Sequence, residues 1–143
     1  MARVWIHSHT QSRSLVSELE LKKLYQKILI SQRAPIQDVE VAFVKSPIMK
    51  QLNRQFRQKN KTTDVLSFHS SIPDLLGSIV IDLAVAKKQA REYQHSIKQE
   101  ILELFIHGVL HLLGFDHEKA SDAKKMKAQE IRLSKFLKLQ ENL

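Results

Sequence analysis

Cysteine is absent from this chain of 143 residues. Disulfide bonds, thiol nucleophiles and thiolate metal ligands are therefore excluded, so any metal ion must be bound by histidine or carboxylate side chains. Glycine and proline number three each, which indicates that each one marks a specific turn or helix end. No apolar stretch has the length and purity of a signal peptide or a membrane span, and a cytoplasmic protein is expected.

The composition predicts a soluble globular protein with a single domain over 1–143. Hydrophobic residues make up 43% and charged residues 27% of the chain, a balance that argues against intrinsic disorder. Basic residues number 23 and acidic residues 15, so the formal net charge is +8. Such an excess favours an anionic partner, most commonly nucleic acid; the alternative is a charge that only aids solubility.

The hydrophobic periodicity predicts an α/β (α+β) fold. We expect a single compact domain in which a mixed sheet of four to five strands packs against about five helices, one of which resembles the metal-binding helix of metzincins. The predicted strands cover 3–7, 38–44, 64–68 and 78–83. Two predicted helices begin near 17 and 46, and three more cover 82–93, 97–113 and 121–139.

Two helix starts carry capping signals. Ser17 and Glu20 have the spacing of a capping box, and Ser46 is predicted to cap a helix whose first turn contains Pro47. The second of these helices carries a stripe of apolar residues at a spacing of four, which is expected to be its anchoring face. The residues of this stripe are Ile48, Leu52 and Phe56.

The most informative segment is a histidine cluster in a strongly helical region. His107 and His111 are four residues apart, so both imidazoles lie on one helix face, where they can share a metal ion. Gly114 is placed to end the helix, and the chain can then bring His117 round as a third ligand. Three imidazoles without a fourth protein ligand are typical of catalytic zinc. The alternative is an ordinary pair of half-buried helical histidines.

The same segment departs from the metallopeptidase pattern. The residue after the first histidine of H-E-x-x-H is the glutamate that activates water, and here Gly108 stands in that position, which argues against proteolysis. Glu103 and Asp116 are candidates for carboxylates that orient the imidazoles, with solvated surface acids as the alternative.

A basic segment over 45–61 contains six bases and no acid. A run of this kind is self-repelling unless an anion is bound, although a solvated helix face remains the alternative. Arg57 lies beside Phe56 near the predicted helix end, a setting in which a rigid guanidinium can bind phosphate bidentately. The bases are Lys45, Lys50, Arg54, Arg57, Lys59 and Lys61.

Three stretches resemble a known family. Residues 107–117 (HGVLHLLGFDH) resemble the signature H-G-x-L-H-L-x-G-[YF]-D-H of the YbeY family of bacterial endoribonucleases and ribosomal RNA maturation factors. Residues 52–68 (LNRQFRQKNKTTDVLSF) resemble a second signature of that family, and residues 76–81 (LGSIVI) a third. Ser78 departs from the pattern, because that position often carries a carboxylate in the family, and His69 stands where proline is usual.

The resemblance implies a function. A metal, normally zinc at one ion per chain, would be bound by His107, His111 and His117, and Arg57 would lie near the catalytic cleft. The implied activity is hydrolysis of single-stranded RNA, in maturation of the 3′ end of 16S ribosomal RNA and in ribosome quality control, with the small ribosomal subunit as partner. The side chains expected to hold the RNA backbone without reading its sequence are Lys50, Arg54, Lys59 and Lys61.

Two other classes of protein stay open from the sequence. The histidine spacing also fits a zinc metallopeptidase, which Gly108 disfavours. A non-catalytic ribosome-associated factor with a structural metal would carry the same histidines and the same basic segment. RNA and peptide cleavage assays distinguish these classes.

Overall fold

Four strands form one mixed sheet in the order β1-β2-β4-β3. The computed structural model describes residues 2–8, 15–115 and 120–141. β1 pairs with β2 and β2 with β4 in parallel, whereas β3 runs antiparallel to β4. The edge strands of this sheet are therefore β1 and β3. The strands are β1 (Val4–Ser8), β2 (Asp38–Val44), β3 (Val65–His69) and β4 (Leu75–Asp82).

Five helices accompany the sheet in the described part of the chain, which confirms the predicted fold class. Within these same residues, none of the helices is long and apolar enough to span a membrane. The helices are α1 (Glu18–Ser31), α2 (Ser46–Arg57), α3 (Leu83–Glu92), α4 (Ile97–Leu112) and α5 (Ala120–Glu141).

The core has two parts, because successive side chains of a strand point to opposite faces of the sheet. Val41 of β2 and Ile79 of β4 are buried in the larger cluster, together with residues of α1 and α4 such as Phe105. The neighbouring strand residue Val80 belongs instead to a smaller cluster with Met49 of α2. α2 and α4 thus lie on opposite faces of the sheet, with the edge strand β3 between them.

The first helix begins as its capping box predicts. Ser17 is the N-cap of α1, and its Oγ accepts a hydrogen bond from the Glu20 backbone N–H at 3.0 Å. The predicted cap of α2 is wrong by one residue. Lys45 is the N-cap, and its carbonyl oxygen accepts from the N–H groups of Ile48 and Met49, so Ser46 is already helical.

The expected anchoring face of α2 is only partly right, because only the middle residue of the stripe, Leu52, packs against the apolar cluster beneath the helix. Ile48 is 47% exposed and Phe56 54% exposed, whereas the buried residues of the helix are Met49 and Asn53. The buried amide of Asn53 is satisfied, because its Nδ2 donates to the Lys61 carbonyl at 2.8 Å. This bond holds the loop after α2 against the helix, and the two buried residues each lie one position after a residue of the apolar stripe.

The C-terminus of α4 follows the sequence prediction. The helix ends at Leu112, and Gly114 has a φ of +105°, the left-handed conformation that glycine adopts without strain. The chain is thereby turned away from the helix axis directly after the two helical histidines. His117 and Asp116 lie outside the described residues.

Candidate active site

A cavity of about 540 Å³ lies beside the edge strand β3. α2 and the loop after it form one wall, β3 forms the floor, and α4 forms the opposite wall. This cavity brings together residues from two of the three stretches that carry the family resemblance, 52–68 and 107–117. Its lining consists of Asn53, Arg57, Lys59, Lys61, Thr63, Val65, Leu66, Ser67, His107 and His111.

Both helical histidines line this cavity, as their spacing predicts. His107 and His111 stand on successive turns of α4, and the side chain of His107 is about one third exposed. The Nδ1 atom of His111 is buried. Two imidazoles on one helix face, open to a polar cavity, are chemically suited to a zinc ion.

A carboxylate from the last helix holds the first histidine. Glu130 of α5 places its Oε1 atom 2.9 Å from the Nδ1 atom of His107. This hydrogen bond raises the pKa of His107 above its ordinary value, against the opposing effect of burial. Sequence reasoning missed Glu130, because it lies on a different helix and no spacing rule links it to His107. Glu103, a candidate for this role, accepts hydrogen bonds from Gln99 and Ser134.

The arginine singled out in the basic segment is fixed at the cavity wall. Arg57 Nη2 donates to the Ser67 carbonyl of β3 at 2.9 Å, and the guanidinium carbon lies 5.9 Å from the centre of the Phe68 ring. These two contacts orient the guanidinium while leaving other N–H groups for a ligand. The expected order of this arginine agrees with its contacts, whereas the expectation that it is partly buried is wrong, because Arg57 is exposed. Its catalytic role stays a prediction.

The remaining predicted RNA-binding residues divide into two groups. Lys59 and Lys61 lie in the cavity lining, on the loop that Asn53 anchors. Lys50 and Arg54 are exposed on α2. Lys59 and Lys61 therefore add positive charge to the cavity, and the RNA-binding role of all four residues stays a prediction.

Gly108 faces the sheet. A Cβ atom added to Gly108 would lie 2.9 Å from Cγ2 of Ile79 on β4, closer than real Cβ atoms approach another atom. The Gly108 carbonyl also accepts a hydrogen bond from Ser67 Oγ at 3.1 Å, which ties α4 to β3. A glutamate at this position would therefore collide with the sheet, so the glycine allows close helix packing where metallopeptidases carry their general base.

A second polar cluster lies around the start of α4. His95, Glu100 and Glu103 each offer a ligand atom, and these atoms lie within 4.8 Å of one another, so the cluster can in principle hold a metal ion. Glu100 is buried, which raises the pKa of its carboxyl, and it accepts from His95 Nε2 at 2.7 Å and from Gln89 at 3.1 Å. These bonds already satisfy both of its oxygens.

The serine that departs from the family pattern at position 78 contacts a carboxylate of the neighbouring strand. Its hydroxyl donates to the Glu40 Oε2 atom of the neighbouring strand β2 at 3.1 Å. A carboxylate is thus present beside position 78, although it comes from another strand. His69 ends β3, where it is exposed.

The cavity brings two imidazoles that suit a metal ion together with an oriented guanidinium and lysine ammonium groups. This combination is typical of one class of protein, the metal-dependent hydrolases of phosphodiesters. Comparison with known proteins identifies the family. Residues 6–138 match the sequence profile described as Endoribonuclease YbeY. The chain belongs to the YbeY family of endoribonucleases, and the resemblance expected from the motifs is confirmed.

Individual relatives agree with this membership. The chain is 48% identical over 108 residues to Endoribonuclease YbeY of Nautilia profundicola, which covers 74% of this chain and 76% of that protein. It is 38% identical over 126 residues to Endoribonuclease YbeY of Persephonella marina, with 84% and 82% covered. The solution structure of TM1509 from Thermotoga maritima matches with a TM-score of 0.68 and 29% identity, over 99% of this chain and 93% of that one. The predicted enzyme class, a metal-dependent hydrolase acting on RNA in ribosomal RNA processing, is confirmed by this membership.

Proposed function

We propose that this protein cleaves single-stranded RNA in the cavity beside β3, with one zinc ion bound by His107, His111 and His117. The observation that carries the proposal is that the histidine pair and Arg57 line one cavity although they come from separate motifs. The proposed biological role is maturation of the 3′ end of 16S ribosomal RNA and ribosome quality control. The small ribosomal subunit is the proposed partner, and the cytoplasm, where that subunit is assembled, is the proposed location.

The residues present fit a zinc ion. His107 is held at Nδ1 by the Glu130 carboxylate, an arrangement that fixes the ring of a metal-binding histidine and makes its other nitrogen a better ligand. The chain has no cysteine, and imidazole is a preferred zinc ligand. When bound, zinc supplies Lewis acidity toward a phosphoryl oxygen and lowers the pKa of water to about 7.

The protein's own groups would then position and stabilise the phosphate. Arg57 is held by the Ser67 carbonyl, so its remaining N–H groups can donate to two phosphate oxygens and stabilise the negative charge that develops there. Lys59 and Lys61 lie in the same cavity, where they can neutralise adjacent phosphates of the chain. These contacts recognise the RNA backbone rather than the bases.

The nucleophile is either water or the 2′-hydroxyl of the RNA. Gly108 cannot act as the general base, and the two nucleophiles leave different chain ends. A 2′,3′-cyclic phosphate on the product would exclude direct attack by water. Analysis of the product ends therefore decides between them.

A substrate comparison tests the proposed activity. We expect the zinc-loaded protein to cleave a single-stranded RNA at least about tenfold faster than the same sequence in a duplex, because a rigid duplex restricts access of its phosphates to a cavity. Hydrolysis of a peptide library is expected to be undetectable. Peptide hydrolysis without RNA cleavage would instead support the metallopeptidase. Zinc binding and ribosome binding without cleavage of either substrate would support the non-catalytic factor.

The Glu130 contact gives a separate prediction about the metal. We expect Glu130→Ala to weaken zinc binding by about 10- to 100-fold, the usual cost of losing a carboxylate behind a ligating histidine. Competition with a coloured chelator measures this affinity directly. Glu130→Gln keeps a hydrogen-bond acceptor and should recover part of the loss, while Glu103→Gln serves as the matched carboxylate control. Equal zinc affinities for Glu130→Ala and wild type would contradict the assignment.

A further inference from the structure

Phe56 is an exposed aromatic side chain that directly precedes Arg57, a residue of the active-site cavity lining. It lies at the C-terminal end of α2 and exposes 54% of its surface, although hydropathy predicts that it anchors the helix. The apolar cluster beneath α2 is formed by Met49 and its neighbours in the sheet, with Phe68 packed against it. The outward orientation of Phe56 therefore needs an explanation other than core packing.

Phe56 and Phe68 form a two-ring platform. Their ring centres are 5.2 Å apart and their planes meet at 67°, an edge-to-face contact that fixes the orientation of the exposed ring. Phe68 also lies 5.9 Å from the guanidinium carbon of Arg57. The platform is thus joined directly to the residue expected to bind the phosphate. Phe56 and Arg57 are neighbours in the chain and contact the same ring, and Arg57 lines the cavity.

The charge of the segment that contains Phe56 favours a polyanion as the ligand of the platform. Segment 45–61 carries six bases and no acid, so the surface around Phe56 repels cations and attracts a polyanion. An apolar ring surrounded by positive charge is the combination by which proteins bind single-stranded nucleic acids, whose bases stack on aromatic faces while basic side chains follow the backbone. A purely apolar partner would leave these charges without a counterpart.

We propose that Phe56, supported by Phe68, stacks on an unpaired base of the RNA whose phosphate is bound by Arg57. This inference rests on the proposed function and adds a physical source for its single-strand preference. A base in a duplex is already stacked on both faces and paired, so it can reach the ring only if it is flipped out at a cost. Every base has a π-face, so stacking of this kind tolerates any sequence.

Binding measurements on zinc-loaded protein test this inference. We expect Phe56→Ala to weaken binding of a short single-stranded RNA by about 5- to 100-fold, the range found when an aromatic stacking partner is removed. Phe56→Trp should bind at least as tightly as wild type. Ile48→Ala is the matched control, because Ile48 is a similarly exposed apolar residue at the other end of α2 and should not change the affinity. Anisotropy of a labelled RNA gives the affinities, and equal urea midpoints verify that the variants are folded.

A series of RNAs with single abasic sites identifies the stacked base. Wild-type protein should lose affinity at one position of the series, and Phe56→Ala should show no further loss there, because the two changes remove the same contact. The salt dependence of binding should stay the same in Phe56→Ala, since no charge is removed.

Two outcomes overturn different claims. Equal RNA affinities for wild type and Phe56→Ala, with no position-dependent loss in the abasic series, would overturn the stacking role. This holds even if the wild-type protein cleaves RNA, and the platform would then face a protein partner instead. A folded, zinc-loaded wild-type protein that neither binds nor cleaves RNA would overturn the proposed function itself, and the stacking inference with it.

Discussion

We expect the His111→Ala protein to lose its stoichiometric zinc and to cleave RNA at least about a thousandfold more slowly than wild type, because polarisation of a phosphoryl oxygen by a bound metal would lower the barrier by several kcal/mol. The structural reason is the position of His111 on the α4 face that lines the cavity, one turn from His107. Removal of this imidazole leaves a single helical ligand. Elemental analysis of the purified protein, together with a cleavage assay, measures both effects.

The controls for this variant locate the metal as well as test its role. His7 is exposed on β1, at the opposite edge of the sheet, so His7→Ala should keep both zinc and activity. Wild-type protein treated with a chelator should behave like His111→Ala and recover when zinc is returned. Zinc that remains bound to His111→Ala but is lost from His95→Ala would place the ion at the second polar cluster and contradict the proposed site.

We expect Arg57→Ala to lower kcat for RNA cleavage by about 100- to 1000-fold, the usual effect of removing one fixed donor that stabilises transition-state charge. Arg57 suits this role because the Ser67 carbonyl and the Phe68 ring hold its guanidinium at the cavity wall before substrate binds. Such preorganisation avoids the cost of ordering a long side chain during the reaction. Single-turnover kinetics at saturating RNA isolate this effect from binding.

Two comparisons distinguish stabilisation of the transition state by Arg57 from electrostatic attraction of the RNA. Arg57→Lys keeps the charge but loses the planar fork, so it should recover only part of the rate. Arg54→Ala removes a base from the exposed surface of the same helix and should weaken RNA binding with little effect on kcat. The zinc content should remain that of wild type in all three variants. An Arg57→Ala protein with normal kcat and a raised KM would show that Arg57 only binds RNA.

The excess of basic residues is concentrated in one segment of the chain. Six of the bases lie in segment 45–61, which contains no acid, so this segment accounts for most of the net charge of +8. The fold sets the exposed bases of α2 next to a cavity that Lys59 and Lys61 help to line. The excess charge is therefore concentrated in one segment, and three of its six bases, Arg57, Lys59 and Lys61, line the cavity.

Local backbone geometry explains why much of the fold and part of the site could be predicted. The spacing of His107 and His111 fixes their common helix face, and Gly114 ends that helix, because both features depend only on residues within one or two turns. Strand β2 has the predicted bounds, since its alternating pattern matches the period of a strand. The metal-binding role of the histidines stays a prediction from chemistry.

One error arose where a polar residue is buried. Hydropathy assigned the stripe of Ile48 and Phe56 to the core side of α2, but the helix buries Asn53 instead. The hydrogen bond between the Asn53 amide and the Lys61 carbonyl removes the cost of burying that amide. Hydrophobic periodicity cannot predict such a bond, because the acceptor lies in a loop beyond the helix.

The sequence by itself determined the family, the two helical histidines and the basic segment, because motifs and short spacings are properties of neighbouring residues. Only the tertiary structure decided that Glu130 holds His107, that Arg57 is fixed on β3, and that Phe56 is exposed against Phe68. These contacts join separate elements. Their geometry depends on how α2, β3, α4 and α5 pack, which the pattern of any single segment leaves open.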